Sequence, residues 1–140
     1  MNLDELKEIL PHREPMLLVD SVELKDGVAH GIYRVRGDEW FLQGHFPGNP
    51  VVPGVILCEI MAQSCAVLLM EKLVGNTPYY TSIEKAKFKS SARPGDVIHV
   101  TAEIERNIGA FYFTNCKAEQ EDGTLICQGR FSFAVVPGRG

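Results

Sequence analysis

Two residues in this sequence combine reactive side chains with unusual settings: His45 and Glu59. His45 opens the stretch His45-Phe46-Pro47-Gly48-Asn49-Pro50-Val51-Val52-Pro53-Gly54, in which three prolines stiffen the backbone that delivers the imidazole. An apolar run follows at once, so a helix is expected from Pro53 or Gly54, where the first turn needs no intrahelical N–H donors. The positive end of a helix dipole disfavours an added proton, so an imidazole there stays neutral and can act as a base. Glu59 lies inside the apolar run. A desolvated carboxylate is costly, so it must be paired or keep its proton, and in the second case it can serve as an acid. A buried glutamate satisfied only structurally, by backbone or by Gln63, is the competing reading.

A base, an acid and a free helix N-terminus fit one reaction class. The backbone N–H of Gly54 or Val55 could hold a carbonyl oxygen as negative charge develops. The base would remove a proton α to that carbonyl, and the acid would protonate a β-hydroxyl as it leaves. That is β-elimination of water from a hydroxyacyl group. Other chemistries find less support. One His and one Glu fall short of the usual three protein ligands for a catalytic metal. No Ser or Cys sits in a nucleophile elbow, and no glycine-rich phosphate motif is present. His12 and His99 have no partner nearby in sequence and His30 lies within a strand, so all three read as surface or structural histidines.

The elements that must position this chemistry follow from the pattern. Glu59 and Gln63 are four apart and share a helix face, flanked by Ala62 and Ala66. That small stripe on an apolar helix looks like room left for a ligand, while Ile56, Leu57, Ile60, Val67, Leu68 and Met70 look like core. One helix is expected over residues 55–74, ended by Gly75-Asn76-Thr77-Pro78. At about 20 residues it would be ~30 Å long. It could nearly span a bilayer, yet Glu59 and Gln63 near its middle argue for a buried core helix and no membrane insertion.

Before it, a short helix is expected over residues 2–9, a strand over 16–24, an Asp26-Gly27 turn, and a second strand over 28–36. After it come strands over 79–88, 97–106, 110–120 and 124–136. Two strands, one buried helix and then four strands joined by tight turns imply an α+β architecture. A curved antiparallel β-sheet would wrap around one long central helix, the hot-dog arrangement. The 140 residues, with 45% hydrophobic and 23% charged side chains, suit a single domain over 1–140 with a real core. A net charge of −4 gives no basic footprint for nucleic acid. The four cysteines form no CxxC pair and read as reduced core residues. The acidic amphipathic start is not a signal peptide, so a cytoplasmic location is expected.

The segment Gly44 to Gln63 closely resembles the β-hydroxyacyl-acyl carrier protein dehydratases of fatty-acid synthesis, the FabZ type. Leu10-Pro11-His12-Arg13-Glu14-Pro15-Met16-Leu17-Leu18-Val19-Asp20 resembles that family's N-terminal pattern. Ile83-Glu84-Lys85-Ala86-Lys87-Phe88, followed by Arg93-Pro94-Gly95-Asp96, resembles its later strand and turn. Val52 stands where the family often has Met.

The resemblance implies a hot-dog fold, a homodimer as the basic unit and usually a trimer of dimers. It makes His45 and Glu59 the catalytic pair, contributed to one site by different subunits. It assigns the Gly54 amide to the thioester carbonyl and Gln63 to positioning Glu59. Val55 and Phe46 complete the expected substrate-binding set. Tyr79 falls where some members carry a tyrosine gating the acyl tunnel, although adjacent Tyr80 could serve. The expected reaction converts (3R)-hydroxyacyl-carrier protein to the trans-2-enoyl product. It needs no metal or organic cofactor beyond the phosphopantetheine arm that the substrate brings. A dehydratase that also isomerises the double bond is the neighbouring alternative. A non-catalytic acyl-binding hot-dog module is the alternative from another class, but it would not need both His45 and Glu59. Lys85, Lys87 and Lys89 alternate with Ala86 and Phe88, so on a strand they would share one face and could dock acidic acyl carrier protein. An ordinary solvated strand face is the competing reading.

Overall fold

The computed structural model describes residues 1–138; the last two positions of the expected 1–140 domain lie outside it. Helix α1 (Leu3–Ile9) begins with a capping box: Asn2 Oδ1 accepts the Glu5 N–H at 3.0 Å, and Glu5 Oε1 accepts the Asn2 N–H at 3.2 Å. Leu6 and Ile9 go into the core. The end of α1 is closed by Arg13, whose guanidinium donates to the carbonyls of Lys7 (3.0 Å), Leu10 (2.9 Å) and His12 (2.7 Å). The Lys7 and Leu10 carbonyls are groups that a terminating helix leaves without partners.

Strands β1 (Ser21–Lys25) and β2 (Val28–Arg34) form the expected hairpin, with Lys25 opposite Val28. Asp26 (φ 52°) and Gly27 (φ 78°) both take positive φ, the conformation that matches a two-residue turn to strand twist. The first strand is shorter than the sequence suggested. Residues 16–20 are not strand, because the Leu18 N–H and the Met16 carbonyl bond to the Gln63 side chain instead of to a ladder.

The central helix also differs from expectation. It is α2 (Gly54–Ser64), a 3₁₀ segment (Cys65–Leu68) and a short α3 (Met70–Leu73), not one continuous rod. Pro53 is the N-cap. The break coincides with two side chains that bond back one turn: Ser64 Oγ to the Ile60 carbonyl at 2.8 Å and Cys65 Sγ to the Met61 carbonyl at 3.5 Å. Such back-bonding competes for helical acceptors and bends a helix. Gly31 allows the close approach of α2 to β2, since a Cβ there would meet Ser64 Oγ at 2.2 Å.

Strands β3 (Asn76–Phe88), β4 (Val97–Ile108), β5 (Phe111–Glu119) and β6 (Leu125–Pro137) complete one antiparallel sheet of six strands, in the order β1-β2-β4-β5-β6-β3. Alternation decides which side chains face α2. Ala29, Gly31 and Tyr33 are buried on β2, and Tyr112, Thr114, Cys116 and Ala118 on β5. This is the α+β hot-dog arrangement, with Ile60 and Met61 of α2 wholly inaccessible at its centre. All four cysteines are buried and free. Burial, then the neighbouring Cys58 and Cys116, pushes the Cys127 thiol up to about 12. No helix among the described residues is long and apolar enough to cross a membrane.

Strand β3 lies at the sheet edge and is 13 residues long. It exposes Tyr79, Tyr80, Ile83 and Phe88. A long, apolar, unpaired edge is a template for another strand.

Candidate active site

The stripe of Glu59, Ala62, Gln63 and Ala66 does face a space. It lines a cavity of about 180 Å³ whose remaining wall includes Leu69, Leu73, Pro78 and Phe133. A larger groove of about 440 Å³, lined by Lys85, Lys117 and Arg130 among others, holds neither Glu59 nor His45. Glu59 therefore belongs to the smaller, mainly apolar cavity, and His45 lines neither.

Gln63 is fixed from three sides. Its Oε1 accepts the Leu18 N–H at 2.7 Å, and its Nε2 donates to the Met16 carbonyl at 2.7 Å. A backbone N–H can only donate and a carbonyl can only accept, so the amide orientation is settled without reference to Glu59. The second Nε2 hydrogen then reaches Glu59 Oε2 at 2.7 Å. Gln63 thus ties Glu59 to the Met16–Leu18 segment.

The other Glu59 oxygen, Oε1, accepts the Tyr80 hydroxyl at 2.9 Å. Burial first, and then the charge of Glu59, push the Tyr80 phenol well above its ordinary range, so it remains a donor. Tyr79 lines the same cavity and is 57% exposed, but the hydroxyl on Glu59 is that of Tyr80. The carboxyl group has a further neighbour that sequence reasoning passed over: His12 Nε2 stands 3.5 Å from Glu59 Oε2. The two are far apart in sequence, and only the Leu10-Pro11-His12-Arg13 pattern pointed to this segment.

His45 lies in the loop before α2. Its N–H bonds to the Leu42 carbonyl (3.2 Å) and its carbonyl accepts from Val51 (2.9 Å). The loop is held from outside by Val52 N–H to Ala92 (2.8 Å) and by Arg93 donating to Asn49 Oδ1. His45 Nδ1 is 3.0 Å from the Val51 carbonyl. A carbonyl accepts only, so Nδ1 carries the hydrogen and Nε2 of the neutral ring is left as the basic nitrogen. The ring stacks on Phe46 at 4.2 Å and 23°. Phe46 itself is 53% exposed.

Gly54 and Val55 occupy the first turn of α2, where the N–H groups have no intrahelical acceptor. Space at 54 is tight: a Cβ would meet Phe88 Cε1 at 3.0 Å, so a larger residue needs the Phe88 ring to give way. Val55 is 77% exposed.

The structure does not bring the expected pair together within one chain. Among the described residues, Glu59 is held by His12, Gln63 and Tyr80, and no hydrogen bond or ion pair joins it to His45. The expected shared face of the three lysines needs correction. Register shifts between Glu84 and Lys87, and Lys85 takes φ 54°. A bulge inserts a residue and breaks alternation, so Lys85 is separated from Lys87, and Lys89 lies past the strand's end. Lys85 lines the outer groove, whereas Lys87 and Lys89 flank Phe88, the residue that abuts the start of α2. Among the described residues, no group of three or more His, Cys, Asp or Glu side chains is placed to hold a metal ion.

Residues 10–130 match the family model described as the FabA-like domain. The chain belongs to the FabA-like family. Two curated relatives, from Caldicellulosiruptor bescii and Clostridium perfringens, are both described as 3-hydroxyacyl-(acyl-carrier-protein) dehydratase FabZ. They are 43% and 41% identical over 138 residues, covering 96% of this chain and 98% and 99% of their own lengths. In three dimensions this FabA-like chain is similar to the dehydratase heterocomplex ApeI:P from Xenorhabdus doucetiae. The TM-score is 0.80 at 21% identity, over 95% of this chain and 91% of that one, which shows the shared fold. The site residues of this FabA-like chain lie within the matched span, from His12 through Tyr80.

Proposed function

We propose that this FabA-like chain removes water from a (3R)-3-hydroxyacyl group on acyl carrier protein, giving the trans-2-enoyl product for fatty-acid biosynthesis. The observation that carries the reading is a carboxyl group fixed by Gln63 at the wall of an apolar cavity. A histidine whose tautomer leaves Nε2 basic complements it. The acyl chain occupies the space beside Ala62 and Ala66, with Leu69, Leu73 and Phe133 around it. The thioester carbonyl oxygen sits at the Gly54 and Val55 amides, which stabilise charge as the α-proton leaves. His45 Nε2 takes that proton, and Glu59 delivers one to the departing β-hydroxyl. The enzyme supplies no metal or organic cofactor; the phosphopantetheine arm comes with the substrate. The work is done in the cytoplasm.

Because Glu59 and His45 are not joined within one chain, the site is completed by a second copy. The exposed β3 edge and exposed Val55 and Phe46 are the surfaces that this copy would cover. Three such dimers form the expected hexamer. Carrier protein docks near Lys87 and Lys89, beside the α2 N-terminus, with Lys85 on a separate groove.

Incubation with a 3-hydroxyacyl-carrier protein, with products resolved by mass and double-bond position, tests the reaction. The expected product has lost one water and carries a trans-2 double bond. A 3-enoyl product would add isomerase activity, and binding without turnover would make the chain an acyl-binding module.

A docking test follows. Lys87→Glu with Lys89→Glu should raise KM for carrier-bound substrate about two- to thirtyfold, from two exposed pairs at roughly 0.2–1 kcal/mol each. The effect should shrink with salt and be absent for a short soluble thioester. Equal losses on both substrates would count against docking.

A further inference from the structure

The elimination leaves the enzyme in the wrong protonation state for another cycle. The α-carbon–hydrogen bond breaks, its electron pair forms the double bond, and its proton ends on His45. The β-carbon–oxygen bond breaks, and the departing hydroxyl becomes water by taking the proton of Glu59. One group must then lose a proton and the other must regain one. His45 lies in a loop whose neighbours Gly44, Pro47 and Gly48 are exposed, and it can release its proton to solvent. Glu59 has no such outlet: its side chain is only 17% exposed, and its surroundings are mostly donors that keep their hydrogens.

Each neighbour of Glu59 can be tested for the task. Gln63 on α2 does not ionise. Tyr80 on β3 and Cys58 on α2 are both held above their ordinary pKa values, by burial first and by the charge of Glu59 next, so neither exchanges a proton near neutrality. Cys65 lines the cavity but is 1% exposed. His12, from the segment between α1 and β1, is different. Its Nε2 is 3.5 Å from Glu59 Oε2, and its side chain is 26% exposed, the more open of the pair. A shift of about half an ångström in either side chain brings this pair to ordinary hydrogen-bond length. Imidazole is also the side chain that loads and unloads a proton near neutral pH. The segment is not loosely placed. The Arg13 guanidinium clamps the His12 carbonyl at 2.7 Å, and Gln63 ties down Met16 and Leu18 beyond it.

We propose that His12 is a positioning and proton-return residue that reloads Glu59 between turnovers. His12 imidazolium gives its Nε2 proton to Glu59 Oε2 and takes a replacement from solvent, while His45 gives its proton to solvent. The sum over one cycle is zero. This role rests on the dehydratase reading above.

The test compares the wild-type protein with His12→Ala and His12→Gln on a 3-hydroxyacyl-carrier protein. Return of the proton follows product release, so its loss lowers kcat and leaves kcat/KM, which starts from the reloaded enzyme, within about twofold. The fall in kcat should be about tenfold, below the ~10²–10⁴-fold effect of a group that meets the substrate. Added imidazole at fixed pH and ionic strength should raise kcat of both variants toward saturation and leave the wild type unchanged. Glutamine fills the site without carrying a proton, so it supports the reading even where the alanine variant fails to fold. Unchanged kcat would overturn the proposal. So would kcat and kcat/KM falling together without response to imidazole, or full recovery in His12→Gln. An inactive wild type would sink the dehydratase reading, whereas an active wild type with imidazole-indifferent variants sinks the relay alone.

Discussion

His45→Ala and Glu59→Gln should each lower the dehydration rate by ~10²–10⁴-fold, the usual contribution of a general acid or base, with the fold intact. The second variant is the more informative, because its hydrogen-bond network can be worked out in advance. Gln63 must donate to residue 59, as Met16 and Leu18 fix its amide. In Glu59→Gln the new carbonyl oxygen therefore faces Gln63, and the new amide nitrogen faces Tyr80. A phenol hydroxyl can accept as well as donate, so Tyr80 turns its hydrogen away and the contact persists. Nothing buried is left unsatisfied and no cavity forms, so the loss falls on the chemical step alone. In His45→Ala the freed Val51 carbonyl lies in an exposed-loop setting where water can replace Nδ1. Turnover near wild type in either variant, with circular dichroism and oligomeric state unchanged, would remove that residue from the mechanism.

A second large effect is expected when two inactive variants share one dimer. If His45 of one copy serves Glu59 of another, a mixed dimer of His45→Ala and Glu59→Gln holds one doubly damaged site and one intact site. Random pairing of equal amounts gives about half mixed dimers, so roughly a quarter of wild-type activity should return from parents that have almost none. The structural motive is twofold. Within one chain His45 and Glu59 are not joined, and the edge strand β3 leaves Tyr79, Ile83 and Phe88 uncovered. The variants are co-expressed with different tags, the mixed species is confirmed by those tags, and the rate of the unsorted mixture is read per mole of chain. Verified mixed dimers as inactive as their parents would mean that the pair acts within one chain after rearrangement.

What was legible in the sequence was what local spacing controls. Glu59, Ala62, Gln63 and Ala66 follow the helical period, and they do line one cavity. Asp26-Gly27 named its own turn, because both residues tolerate positive φ. The misreadings share a cause, which is competition for backbone groups by partners distant in sequence. Residues 16–20 have the apolar character of a strand, but the Leu18 N–H and the Met16 carbonyl go to Gln63, 45 and 47 positions away. The helix beyond Ser64 has a helical composition, but Ser64 and Cys65 side chains take carbonyls that a continuous helix needs. Alternation placed three lysines on one face, and a bulge at Lys85 undid it. His12 could not be found by spacing, since its meaning comes from Glu59, a residue on another element. Tyr79 and Tyr80 were indistinguishable until a hydroxyl was seen on the carboxylate.

The bond from Leu18 to Gln63 has one more consequence. Most slowly exchanging amides in a sheet report on strand opening, but the Leu18 amide is shielded by a side chain instead of a neighbouring strand. Its hydrogen can trade with solvent deuterium only when Gln63 lets go, and Gln63 is the group that donates to Glu59. A single backbone position therefore keeps a clock on the acid's support. Its exchange rate reads the poise of the site in the absence of any substrate.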